Sequence, residues 1–185
     1  MKYNPEIHHR RSIRLKGNDY SQCGLYCLTI CTRERLMLLG EISNSVMMLN
    51  DMGKTAENCW NEIPAHFPNV VLHEFVIMPN HIHGIIEIIK SADNEMPVGV
   101  EMPVGVENFQ PLQPNQHKFQ RVIPRSVASI VRGFKIGVTK QIGYSILQRD
   151  YFEQVIRNEH SYWKYSEYIR RNPELWSKDK FYTEE

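Results

Sequence analysis

The sequence predicts an α+β fold, a ferredoxin-like antiparallel sheet with helices on one face and a further helix at the C-terminus. Three observations predict it. Strand-type and helix-type apolar periods follow one another in the order β-α-β-β-α-β-α along the 185 residues. Two β-rich runs, residues 70–78 and 81–89, are separated only by Pro79-Asn80, a turn signal that makes them a hairpin. Four strands joined through two crossover helices then close most simply as one antiparallel sheet, with the last helix added to it.

Each element has its own signal. Residues 24–32, Gly-Leu-Tyr-Cys-Leu-Thr-Ile-Cys-Thr, are rich in β-branched and aromatic types and read as the first strand. Residues 44–66 read as a helix, with Val46, Met47, Leu49, Trp60 and Ile63 as core contacts and Gly53 as a weak point in the middle. The hairpin strands at 70–78 and 81–89 follow. Pro124 suits the first position of a helix reaching about Gln141. That helix carries Val127, Ile130, Val131, Phe134 and Val138 on one stripe and Arg132, Lys135 and Lys140 on its other face. Residues 151–156 read as the fourth strand. Asn158 can cap a final helix through about Arg171, and Asn172-Pro173 favours leaving it.

Composition narrows the function classes. With 42% hydrophobic and 23% charged residues the chain reads as a soluble single domain spanning residues 1–185. It has no apolar run of the ~18 residues a membrane span needs. The N-terminus has no apolar h-region, so a cytoplasmic protein is expected. Cys23, Cys27, Cys31 and Cys59 lack zinc-site spacing and read as reduced, partly buried thiols.

Net charge is only +1, but the charges are segregated. Residues 1–16 hold Lys2, Arg10, Arg11, Arg14 and Lys16 against Glu6 alone, and residues 118–149 hold seven bases, Arg125, Arg132 and Lys135 among them, with no acid. Such segments can neutralise phosphates, or can be no more than solvated faces. Between them, Glu-Met-Pro-Val-Gly-Val at 95–100 is repeated at 101–106, and about 91–118 reads as a flexible insertion.

Two motifs carry chemistry. In His81-Ile82-His83 the histidines are two apart on a strand, so both point to one face and can grip one divalent metal, while Ile82 points to the core. A pair that opens so apolar a strand would be costly to bury without a partner. If Pro79-Asn80 closes a two-residue turn, residue 76 lies opposite 83, and Glu74 shares the histidine face. An exposed edge carboxylate is the preferred role for Glu74, and His73 is expected to point the other way. In Tyr168-Ile169-Arg170-Arg171-Asn172 the tyrosine and asparagine are one helical turn apart and can approach one site. Tyr162 and Tyr165 lie on the same helix, and any of the three could instead be a core aromatic.

Met78-Pro79-Asn80-His81-Ile82-His83 and Tyr168-Ile169-Arg170-Arg171-Asn172-Pro173 together resemble the two signatures of the IS200-like single-tyrosine transposases of the HUH class. The pattern is most like their subgroup of REP-associated tyrosine transposases. The segment Asp150–Glu159 and the basic start Arg10–Leu15 fit the same resemblance, which spans nearly the whole chain outside the insertion. It implies Tyr168 as nucleophile, His81 and His83 as ligands of Mg²⁺ or Mn²⁺, and Asn172 as a third polar ligand. It also implies a 5′-phosphotyrosine intermediate on single-stranded or hairpin DNA, with Arg10, Arg11, Arg14, Lys16, Arg125, Arg132 and Lys135 against phosphates. Either a homodimer or a lone subunit is compatible with it. A non-cutting DNA-binding protein of the same fold is the main alternative. A histidine-triad hydrolase fits poorly, because Ile85 stands at the third alternating position, and a structural zinc domain lacks further ligands at suitable spacing.

Overall fold

The computed structural model describes residues 23–90 and 125–182. A four-stranded antiparallel sheet forms its centre. It contains β1 (Gly24–Cys31), β4 (Val70–Met78), β5 (His81–Ile88) and β6 (Phe152–Ile156), in the order β4-β5-β1-β6. The two central strands are the most apolar ones, as burial on both faces requires. α1 (Asp51–Asn61), the short α2 (Ile63–His66) and α3 (Val127–Ile142) cover one face. Their core joins Trp60, Ile130 and Phe134 to Tyr26, Leu28, Ile82 and Ile86 of the sheet. α4 (Glu159–Arg171) covers the other face, where Ile169 packs on Ile85 and Ile156. Among the described residues no helix is long and apolar enough to cross a membrane.

The α+β class and the strand–helix order match the expectation, but the segment 44–66 needs correction. Gly40–Ser43 (β2) and Val46–Leu49 (β3) form a separate two-stranded hairpin, and the helix begins only at Asp51. Asn44 and Ser45 both adopt positive φ, 52° and 62°, which suits the twist of a two-residue hairpin turn. Asn50 then accepts a hydrogen bond from the Gly53 N–H and caps α1. Val46 is exposed rather than in the core, whereas Met47 and Leu49 pack partly against it. Gly53 is required rather than tolerated: a Cβ there would lie 2.1 Å from the Leu39 carbonyl oxygen.

α3 buries the expected stripe of Val127, Ile130, Val131, Phe134 and Val138, and its N-cap is Ser126. Pro124, the insertion at 91–118 and the basic residues Arg10, Arg11, Arg14 and Lys16 lie outside the described residues. Asn158 caps α4 as expected, its side chain accepting from the Ser161 N–H. Asn172 keeps helical backbone angles despite preceding Pro173, so the chain turns once more before Trp176–Lys178 forms a 3₁₀ turn. All four cysteines are free thiols.

Gly84 has a direct bearing on the site. A Cβ there would meet the Trp60 indole at 2.2 Å. The missing side chain lets Trp60 pack directly under β5, next to the residue that carries the second histidine.

Candidate metal centre and tyrosine

His81 and His83 open β5 immediately after the two-residue turn. The register Met78↔His81 and Val76↔His83 is the one such a turn dictates. Their rings point to the α4 face, with centroids 4.5 Å apart, while Ile82 enters the opposite core. Both are almost fully buried, at 0% and 3% exposure. β1 runs alongside, pairing Thr29 with His83 and Cys31 with His81.

Each imidazole is held through Nδ1. His81 Nδ1 shares a 2.8 Å hydrogen bond with Asn80 Oδ1, and His83 Nδ1 shares a 2.8 Å hydrogen bond with the Thr29 hydroxyl. Bonds of this kind orient the other ring nitrogen for metal binding. The chain then returns from α4 through the turn at Trp176–Lys178, and Asp179 comes down beside the pair. His81, His83 and Asp179 each offer a ligand atom, all within 4.8 Å of one another.

Tyr168 approaches from α4. Its hydroxyl donates to Asp179 Oδ2 at 2.6 Å and stands 3.4 Å from His83 Nε2. Asn172, one turn on, donates through Nδ2 to the same carboxylate oxygen at 3.0 Å. Tyr168 and Asn172 therefore do approach one site, and Asp179 is where they meet. The other tyrosines are occupied elsewhere. Tyr162 donates to Glu74 Oε2 at 3.0 Å, and Tyr165 packs on the Ile85 cluster.

The donor set fits a divalent cation. Two imidazoles and a carboxylate suit a metal that takes nitrogen and oxygen ligands. Two buried polar atoms here, His81 Nε2 and Asn172 Oδ1, have no hydrogen-bond partner among the described residues. Unsatisfied buried atoms are rare enough to need a cause, and a cation-binding role is one. His81 and His83 would hold the cation with Asp179, and Asn172 Oδ1 is available beside them.

Electrostatics favour the same use. Burial, joined by the neighbouring His83, holds the His81 pKa at about 3. Burial holds His83 at about 4. Burial tends to raise the Asp179 pKa, but hydrogen bonds from Tyr168, the Phe181 N–H and Asn172 outweigh it and keep the carboxyl below its ordinary range. Burial, with the bond to Asp179, raises Tyr168 well above the usual phenol. Metal binding needs neutral imidazoles. Histidines with a pKa of ~6.5 would lose roughly 100-fold in metal affinity on going from pH ~7.5 to ~5.5, about tenfold each. Here the competing proton leaves at lower pH, so Mn²⁺ affinity should change by less than about twofold over that interval. Calorimetric titration at the two pH values checks this, and a drop near 100-fold would mean that the pair titrates normally.

The C-terminal turn also covers the pair. The Phe181 ring lies 4.7 Å from that of His81, and Trp176 lies 6.0 Å from it. Arg35 and Lys180 both sit over Phe181, at 5.1 Å and 4.7 Å from its centroid, and are exposed. Both stand at the rim of the site. Arg125 is exposed ahead of α3, and Arg132 is exposed on α3, on the face of the sheet away from Tyr168. Lys135 corrects the expectation of a phosphate contact. Its ammonium donates to the carbonyls of Gln148, Arg149 and Asp150, at 2.8, 3.1 and 3.2 Å, so its protons serve the loop before β6.

A register shift between Leu72 and Phe75 corrects two further expectations. At such a bulge two successive residues can face one side. Glu74 is not an exposed edge carboxylate: it accepts from Tyr162 and from Ser166 at 3.1 Å. Burial raises its pKa, but its backbone N–H, Tyr162 and Ser166 pull the net value down. His73 does not point away but bridges Tyr162 and Glu87, at 3.2 and 3.1 Å. Together they fasten α4 to the edge strand.

Asp179, Thr29, Arg35 and Lys180 stand at this candidate site without being expected there from sequence, and Asn80 is expected only as a turn residue. Asp179 had one available signal, a lone acid between Lys178 and Lys180.

Relatives of the chain are known. No protein-family model matches the sequence. An uncharacterized protein of Haemophilus influenzae is 43% identical over 188 residues, covering 99% of this chain and 98% of that protein. Among solved structures, a REP-associated tyrosine transposase bound to a REP hairpin is similar with a TM-score of 0.55 and 19% identity. That match covers 91% of this chain and 77% of the other. At that identity the likeness is one of fold.

Proposed function

This chain belongs to one protein family with the Haemophilus influenzae relative and has the fold of a REP-associated tyrosine transposase, and from that premise we propose that it is a metal-dependent single-strand DNA endonuclease and strand transferase acting at DNA hairpins. The observation that carries the reading is the convergence of Tyr168 with Asp179 at 2.6 Å and with His83 at 3.4 Å, on a group of three metal-competent side chains.

In this reading Tyr168 is the nucleophile. Its oxygen forms a bond to phosphorus, the bond from phosphorus to the 3′ oxygen breaks, and the 5′ phosphate remains on the tyrosine. The phenol proton is lost to solvent, because Asp179, held below the ordinary carboxyl range, accepts the hydrogen bond but is too weak a base to keep the proton. The 3′ oxygen takes a proton from solvent. The covalent link conserves the phosphoester, so a second 3′ hydroxyl can reverse the step and rejoin strands. A cation held by His81, His83 and Asp179, with Asn172 beside it, would be Mg²⁺ or Mn²⁺ and would polarise a phosphate oxygen. Tyr168 has a further need. The same carboxylate that raises its pKa is a metal ligand in this reading, so sharing that charge makes the phenol easier to ionise.

Phosphate contacts are part of the same proposal. Arg35 and Lys180 stand at the rim, where the scissile strand would pass. Arg125 and Arg132, which are exposed, and Arg10, Arg11, Arg14 and Lys16 stay in the reading as proposed contacts to more distant phosphates. The turn at 176–182 has to shift for a phosphodiester to reach the buried imidazoles. That closed cover favours one other reading, a hairpin-binding protein that does not cut.

Incubation with labelled single-stranded DNA containing a hairpin, with Mn²⁺, separates the two. A protein–DNA adduct that survives denaturant is expected. Retained binding with no adduct, in Mn²⁺ or Mg²⁺, would favour the non-cutting protein.

A further inference from the structure

We infer that Asn80 is a positioning residue that sets the tautomer of His81 and so makes its Nε2 the metal-binding atom. This rests on the metal-dependent reading of the site.

The hydrogen bonds of Asn80 carry the inference. Asn80 is 0% exposed and sits in the turn itself. Its backbone carbonyl accepts from the Thr32 N–H at 2.9 Å, so the residue is anchored to the end of β1. Its side-chain Nδ2 donates to the Phe181 carbonyl at 2.7 Å. A carbonyl can only accept, so the NH₂ end of the amide must face Phe181, which turns Oδ1 toward His81. That oxygen in turn can only accept, and it lies 2.8 Å from His81 Nδ1. The proton of neutral His81 is therefore on Nδ1. Nε2 carries the lone pair: no described group makes a well-formed hydrogen bond to it, and the weaker influence of Asn172 on the ring is the competitor that the bond to Asn80 has to outweigh.

A turn at this place needs only a residue tolerant of tight backbone. Asn80 adds a donor and an acceptor at opposite ends of one rigid amide. The side chain therefore links the imidazole that would bind metal to the segment that covers it. Outer groups of this kind typically change metal affinity by roughly 10- to 100-fold when lost.

The test measures the tautomer directly. In the full-length wild-type protein without metal, near neutral pH, ¹⁵N shifts of His81 should show hydrogen on Nδ1. Hydrogen on Nε2 would overturn the inference, whether or not any variant folds and whether or not DNA is cut. In Asn80→Ala the His81 proton should redistribute toward Nε2, and Mn²⁺ affinity by calorimetry should fall roughly 10- to 100-fold. Adduct formation should recover at raised Mn²⁺. Asn80→Asp keeps the acceptor and loses the donor to Phe181, so it should retain the Nδ1–H tautomer. An Asn80→Ala protein that folds with unchanged tautomer and affinity would also overturn the inference. Failure of the metal reading looks different: wild-type protein would bind no Mn²⁺ while His81 still carried its proton on Nδ1.

Discussion

Tyr168→Phe is expected to abolish the covalent DNA adduct and to lower cleavage on the order of 10³-fold or more, the scale on which losing an enzyme's nucleophile acts. Hairpin binding should survive. The phenyl ring keeps its contact with His83, whose centroid lies 5.2 Å away, and only the hydroxyl is lost. The structural cost is small. Asp179 loses the hydrogen bond from Tyr168 but retains those from the Phe181 N–H and Asn172, so about 1 kcal/mol of stability is at stake. Tyr162→Phe is the matched control. It removes a hydroxyl of the same helix that bonds Glu74 rather than the site, and it should leave the adduct intact. Gel separation of adducts, with thermal unfolding of each variant, checks both. Cutting by Tyr168→Phe at the parental rate would transfer the nucleophile to another side chain.

The second large effect is the double change His81→Ala with His83→Ala. It should remove metal-dependent cleavage and the thermal stabilisation that Mn²⁺ gives the parent. A ligand present at about 100 times its dissociation constant stabilises by about 2.7 kcal/mol, and that increment should vanish. The double variant will also lose stability without metal, because removing two buried rings leaves space and strips partners from Asn80 and Thr29. Cleavage by the wild type in excess chelator is therefore the companion measurement, free of any folding change. Loss of cleavage in chelator, restored by Mn²⁺, is expected. Cleavage that persists there would remove the metal from the mechanism.

The features legible in sequence have local causes. β4 and β5 can be bounded because an apolar run, a two-residue turn and a second apolar run fix register through the period of two. Val76 opposite His83 follows from that alone. α3 and α4 are legible from one apolar stripe and one asparagine cap. Misreading begins where local signals compete. Val46–Leu49 is apolar enough for either a strand or a helix, and what decides it is the left-handed backbone at Asn44 and Ser45 together with the Asn50 cap. The bulge between Leu72 and Phe75 has no sequence mark, yet it turns His73 and Glu74 toward α4. Asp179 escapes notice for a different reason. Its place beside the histidines depends on the chain folding back after α4, a tertiary event far downstream of His81. The histidine pair and Tyr168 are readable because strand and helix periods predict which side chains share a face. What brings the two faces together is packing of Ile169 on Ile85 and Ile156, and no short motif encodes it.

The most direct test of the central claim is to identify the linkage itself. Wild-type protein is incubated with Mn²⁺ and hairpin-bearing single-stranded DNA, the DNA is digested, and the modified peptide is sequenced by mass spectrometry. The expected product is a nucleotide joined through its 5′ phosphate to Tyr168, with a free 3′ hydroxyl on the released strand. A linkage to any other residue, or a 3′-phosphoryl attachment, would contradict it.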